Sequence, residues 1–282
     1  MTRPVTTLPE GPGPWQGDQK SSKADLDFLK ELRGDDRPPD LDRVLAHFTL
    51  AADVTMLRAQ CRFAYCEGAM MARYLGLPFP ALAFLGGSPE QLGGLAVQLT
   101  APGESFYLLV NERQATRAER AFVVEHVEPE WQMSFAGDVA GLDPGTAVPL
   151  EHEDVDHIRD LAEDVGLEAL EADPFRHGPA FGVWQADQLV SLACTRLRVC
   201  GAAEIGNVGT RTAHRRRGYA RQAVSALTRA YTTKGHEVFL MVFQSNHAAV
   251  QLYEGLGFAR RRPMFLMRCR VRAGIPGGSR WT

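Results

Sequence analysis

The chain has 282 residues, 45% of them hydrophobic and 23% charged. That is the balance of an ordinary soluble globular protein, which excludes collagen-like, coiled-coil and wholly disordered readings and makes two domains the natural expectation. The formal net charge of -3 argues against a protein that coats nucleic acid along its whole surface, and no nucleic-acid partner is expected. The charge is unevenly spread: Glu204 to Thr282 holds 14 Lys/Arg against 3 Asp/Glu, which leaves -14 for residues 1–203. An anionic ligand is therefore to be sought in the C-terminal third.

Cys61, Cys66, Cys194, Cys200 and Cys269 form no CxxC pair and no Cys/His ligand spacing, so no metal is expected and a reduced, cytoplasmic chain fits better than a disulfide framework. The N-terminus, MTRPVTTLPEGPGPWQGD, has no continuous apolar run of the kind a signal peptide needs. No later window approaches the ~20 apolar residues that span a bilayer, so no membrane partner is expected either.

In chain order, residues 1–22 are rich in Pro, Gly, Thr and Gln and lack the apolar surface that offsets the entropy of ordering; with a short helix at 23–33 they form a predicted tail over residues 1–38. Residues 39–137 read as an N-terminal α/β domain without a cofactor motif. Within it ALAFL (81–85) is a strand, Ser88-Pro89-Glu90-Gln91 a capping box opening a helix, FYLLV (106–110) a strand, Ala115–Phe122 a helix and 123–135 more strand. Five Gly/Pro residues without periodicity between Gly137 and Pro149 mark a linker over 138–147, and a second domain is predicted for 148–282. It begins with an acidic amphipathic helical stretch at 151–174. Strands follow at 180–185 and 188–199, joined as a hairpin at Ala186-Asp187, and at 204–210. A helix over Ala220–Lys234, a strand over 237–243, a helix over Ala248–Leu256 and a strand over 264–271 complete the order.

The segment between the strand at 204–210 and the helix after it carries the strongest chemical signal. A helix start offers unpaired N–H groups and a positive dipole end, and Gly218 and Ala220 are small enough to let a phosphate reach them. Arg211, Arg215, Arg216, Arg217 and Arg221 add attraction for a polyanion. The spacing is neither GxGxxG nor GxxxxGK[ST], which leaves Rossmann and P-loop readings without support. Taken alone, an RRRG string is more often a solvated basic patch.

Arg215-Arg216-Arg217-Gly218-Tyr219-Ala220 between strand and helix resembles the Q/R-x-x-G-x-G/A signature of the GNAT superfamily of acyl-CoA-dependent N-acyltransferases. The block VFLMVFQSNHAAVQLYEGLGF (238–258) matches the superfamily's second motif in order. The resemblance covers about residues 150–270, and Glu204-Ile-Gly-Asn-Val-Gly-Thr210 narrows it to the glycine N-acyltransferase-like branch. It implies a mixed, mostly antiparallel central sheet flanked by helices, preceded by a smaller α/β domain that is a degenerate half of the same fold. It also implies acetyl-CoA or another acyl-CoA as co-substrate and a small-molecule amine as acceptor. Cofactor contacts are expected from Val208, Gly209, Thr210, Arg215, Arg216, Arg217, Gly218, Tyr219, Ala220, Arg221 and Asn246. Of these, Val208 and Thr210 would act through backbone groups toward the pantetheine arm.

Acyl transfer to an amine needs a free amine lone pair and a proton for the departing thiolate. Glu204 stands eleven residues before Arg215, the offset of the branch's catalytic glutamate, and would serve as base; its other reading is a strand-end carboxylate, solvated or paired with a neighbouring arginine. Tyr253, seven residues after Asn246, would protonate the thiolate; its other reading is a core tyrosine. Gly206 and Gly209 suggest a bulge or close packing in the strand. His214 and His247 read as surface histidines. The implied activity is N-acetyl transfer to a primary amine of a small molecule or amino acid. Its rivals are acetylation of protein lysines or N-termini and CoA sensing without turnover. Both a monomer and a homodimer are compatible with the sequence.

Overall fold

The computed structural model describes residues 40–199 and 201–273; the predicted tail and its helix at 23–33 lie outside the described residues. The elements are α1 (Leu41–Ala46), α2 (Phe48–Thr55), β1 (Cys61–Cys66), β2 (Ala69–Tyr74), β3 (Ala81–Gly86), α3 (Pro89–Leu99), β4 (Ser105–Asn111), α4 (Glu112–Ala121) and β5 (Phe122–Phe135). They continue with β6 (Val148–Leu150), α5 (Val155–Val165), β7 (Ala180–Gln185), β8 (Gln188–Val199), β9 (Ala202–Thr210), α6 (Tyr219–Thr232), β10 (Glu237–Phe243), α7 (His247–Glu254) and β11 (Phe258–Val271). All eleven strands join one sheet in the order β1-β2-β3-β4-β11-β5-β10-β9-β8-β7-β6. Only β3/β4 and β9/β10 run parallel, so the sheet is mixed and mostly antiparallel, as the resemblance implies.

Two halves share one order of elements: three antiparallel strands, a helix, a strand parallel to the third, a second helix and a long last strand. That order is β1-β2-β3-α3-β4-α4-β5 in the first half and β7-β8-β9-α6-β10-α7-β11 in the second. Each half gives its last strand to the other: β11 pairs along β4, β5 pairs along β10, and β5 and β11 pair with each other at the centre. The sheet is therefore hydrogen-bonded continuously from the first half into the second.

The predicted hairpin at Ala186-Asp187 is present, with Ala186 in the left-handed region (φ 50°) that a tight two-residue turn demands. The acidic stretch at 151–174 is helical only over a 3-10 turn (His152–Asp154) and α5. Gly166, at φ 74°, takes the left-handed cap conformation and ends it, and the chain then crosses the sheet face as a loop to Ala180. Ala203, Ile205, Leu240 and Val242 face α6 and α7 across one apolar cluster. Ala202, Phe239 and Met241 face α1 and α2 on the opposite side, where α5 also packs beside β8 and β9. Among the described residues no helix is long and apolar enough to cross a membrane.

Candidate acyl-CoA and amine site

β9 and β10 are hydrogen-bonded only from Ala202/Glu237 to Ile205/Leu240. Beyond that point β9 bends away. Asn207, at φ 47°, sits in a bulge, because Gly206 to Gly209 on β9 oppose only Cys194 to Leu192 on β8. The edge of β9 from Gly206 to Thr210 is thus left unpaired on the side of β10. Gly209 also answers to packing, since a Cβ there would come within 2.8 Å of Val165 Cγ2. Both readings of the strand glycines hold.

The opening between the two strands is the throat of a cavity of about 1290 Å³ that reaches both faces of the sheet. One end is the start of α6. No side chain caps that helix and no acidic residue occupies its first turn, so its dipole and leading N–H groups are uncompensated, as an anion site requires. Gly218, its N-cap, has φ 83° in the left-handed region that favours glycine, and a Cβ there would project into open space, with nothing within 4 Å. That space is a cradle that a phosphate fits. Arg215, Arg216, Gly218, Tyr219, Ala220 and Arg221 line it. Arg215 Nε donates to the Thr210 carbonyl oxygen at 3.2 Å and Arg221 Nη1 to the Gly255 oxygen at 2.9 Å, which holds both guanidinium groups in place. Arg217 is not on the cavity wall, and Arg211 turns away to pair with Asp160 and Asp164 of α5.

Val208, Gly209, Thr210, Asn246 and Tyr253 line the middle of the cavity. Asn246 is the N-cap of α7, its Oδ1 accepting from the Ala249 N–H at 3.2 Å, so it precedes the helix instead of lying on its face. Tyr253 is buried, with its ring 6.0 Å from that of Phe258. Burial pushes its phenol up to about 12, which keeps it protonated at neutral pH. His214 lines the cavity too, a correction to its reading as a surface histidine, whereas His247 is exposed.

Glu204 lies at the narrow end of the opening, 1% exposed. It forms an ion pair with Arg196, whose side chain is 31% exposed: Arg196 Nη1 donates to Glu204 Oε2 at 3.0 Å. Arg196 reaches it because β8 has its own bulge there, Thr195 and Leu197 spanning only Ile205 and Glu204 on β9. Burial raises the Glu204 carboxyl above its ordinary range and the Arg196 charge works against that rise. Of the two sequence readings of Glu204, the arginine pair is thus realised, yet Glu204 Oε1 has no partner among the described residues. Two residues that sequence reasoning did not single out join it on the wall: Arg196 itself and Glu130 of β5. Among the described residues no group of three His, Cys, Asp or Glu side chains could hold a metal ion.

Residues 180–267, from β7 through most of β11, match the family described as FR47-like protein. No curated protein matches the chain. Among solved structures, one described as a putative acetyltransferase from the GNAT family of Novosphingobium aromaticivorans is 26% identical and superposes with a TM-score of 0.58, covering 72% of this chain and 89% of that one. A GCN5-related N-acetyltransferase from Kribbella flavida is 16% identical with a TM-score of 0.59, covering 83% and 96%. A GCN5-related N-acetyltransferase-like protein from Streptococcus suis is 16% identical with a TM-score of 0.58, covering 86% and 100%. The chain has the GNAT acetyltransferase fold. The unpaired edge of β9, the uncapped start of α6, Asn246 and Tyr253 converge on one cavity.

Proposed function

We propose that the protein is an acetyl-CoA-dependent N-acetyltransferase acting on a primary amine of a small molecule or amino acid. The observation that carries this reading is the cavity itself, which runs from an uncapped, arginine-flanked helix start, through a gap between two diverging strands, to a buried carboxylate. Such a passage lets two substrates meet from opposite faces of the sheet.

Acetyl-CoA, when bound, supplies the acyl group as a thioester. The first-turn N–H groups of α6 and the arginines around Gly218 hold its phosphates. Backbone groups of Val208 and the N–H of Thr210 pair with the pantetheine amides along the open edge of β9, and Asn246 with its Nδ2 closes the other side. Glu204 Oε1 takes one proton from the acceptor ammonium, directly or through water, which frees the lone pair for attack. As the C–N bond forms and the C–S bond breaks, Tyr253 Oη gives its proton to the departing sulfur. The second proton lost by nitrogen restores that phenol. Burial suits both roles, since a raised carboxyl is a better base than a solvated one and a raised phenol stays protonated until the thiolate appears.

The first half, residues 39–137, is on this reading a repeat of the same unit that has lost the cofactor cradle, and the site works as a soluble, cytoplasmic enzyme. The reading is tested by incubating the protein with acetyl-CoA and an amine panel and following thiol release. Amine-dependent release supports it, and CoA binding with no release for any amine would reduce the protein to a sensor.

A further inference from the structure

The cavity also has a chamber, lined from both halves, that the roles given so far leave unused. Its apolar wall comes from Tyr74, Phe79, Tyr107, Leu109 and Met241. Phe79 and Tyr107 meet edge to face at 5.1 Å, a rigid aromatic corner of the kind that receives a ring or a cation over its face.

The charges in this chamber are unequal in an informative way. The basic side chains there are already engaged: Arg196 with Glu204 at 3.0 Å, and His177 Nε2 with Glu171 Oε1 at 2.7 Å. Glu171 Oε1 also accepts from the Tyr74 hydroxyl at 2.8 Å, which ties the loop after α5 to the end of β2 and closes the chamber. Two carboxylates are less well matched, since both draw on the charge of Arg196 alone among the arginines. Glu130 is 7% exposed and its Oε2 has no partner among the described residues; Glu204 Oε1 is in the same state. Glu130 faces Phe243 of β10 in register and Glu204 faces Phe239, so the two acids flank the same strand and line the same cavity, one on each side of the opening. An unpartnered carboxylate out of water is costly, and the ligand that removes the cost is a cation.

We propose that Glu130 is an acceptor-binding residue and that the acceptor is a primary arylalkylamine without a carboxylate. Its ammonium is drawn toward Glu130 and Glu204, and its ring lies against the Phe79/Tyr107 corner. An amino acid would bring a further negative charge into a chamber whose Arg196 and His177 are already engaged. This inference rests on the amine-acceptor reading above and narrows it to one class.

The test is equilibrium titration of 2-phenylethylamine and of L-phenylalanine into the full chain saturated with CoA, followed by thiol-release kinetics with acetyl-CoA. The amine should bind at one site, at least about tenfold more tightly than the amino acid. Glu130→Gln should weaken amine binding by at least about tenfold, with CoA affinity unchanged, and Glu130→Asp should recover part of the loss. Equal or tighter binding of phenylalanine, preference for spermidine or a peptide N-terminus, or wild-type amine affinity in Glu130→Gln would overturn the inference. Amine binding as described without thiol release would leave the inference standing and sink the acetyltransferase reading; release with phenylalanine as the better substrate would do the reverse.

Discussion

The two halves of the sheet follow one order of elements, yet they treat equivalent junctions in opposite ways. At the junction of β3 and α3, Ser88 Oγ accepts from the Gln91 N–H at 3.3 Å, Gln91 Oε1 accepts from the Ser88 N–H at 2.8 Å, Pro89 removes a donor, and Glu90 meets the positive end of the dipole. That helix start is satisfied by its own residues and would repel a phosphate. At the junction of β9 and α6 every one of these devices is missing, and arginines surround a glycine instead. The second helices differ similarly. Both begin with an Asn N-cap, Asn111 and Asn246, but seven residues later the first half has Ala118 and the second Tyr253. A shared topology therefore supplies only a location; whether it holds a ligand is decided by a handful of residues at the helix starts.

Changes that make the second half resemble the first should have the largest effects. Tyr253→Phe should keep CoA affinity and lower kcat by about 10²-fold or more, the range of a positioned proton donor, as read in steady-state kinetics; an unchanged kcat would assign the tyrosine to the core alone. Glu204→Gln should slow the enzyme by about 10²-fold near pH 7. An alkyl ammonium is almost wholly protonated there, so the wild-type kcat/KM should rise on an acid limb to a plateau, and the variant should recover only at alkaline pH, where the amine arrives deprotonated. A variant with wild-type rate and profile would make Glu204 purely a partner for Arg196.

Glu130 gives a stability prediction with a definite sign. Burial lifts its carboxyl to about 7 from an ordinary 4.5, so the folded state holds a proton that the unfolded chain has released. Stability from that proton is fully present below pH 4.5 and is lost as pH rises through about 7. Glu130→Gln should therefore stabilise the ligand-free protein at pH 8 relative to pH 5, by up to about 3 kcal/mol, in urea melts at the two pH values. The smallest effect belongs to the first half. Ser88→Ala should cost about 1 kcal/mol of stability and leave CoA affinity where it was.

The regular strands and the phosphate loop were legible in the sequence because their signals are local. β7 and β8 run over the predicted residues, and the cradle was visible as small and basic residues at a strand-to-helix junction. β1 and β2 were not singled out, since β2 reads AMMARY, helix formers that tertiary pairing has placed in a strand. Glu130 was hidden for another reason. It follows Pro129 in a segment that also holds Glu125 and Glu128, and only the exchange of last strands carries it to the side of β10. Arg196 turns toward Glu204 through a bulge that needs the neighbouring strand to form. Pairings over long sequence distances leave no periodic trace in either residue's surroundings.

The central claim, that one of two equivalent junctions binds CoA, is tested most directly by calorimetric titration of CoA into the wild type, Gly218→Glu and Ser88→Ala, with circular dichroism to verify folding. One site per chain is expected in the wild type and in Ser88→Ala. None is expected in folded Gly218→Glu, whose side chain would fill the cradle and repel phosphate. A folded Gly218→Glu variant that binds CoA as the wild type does, or two sites per chain, would contradict the account.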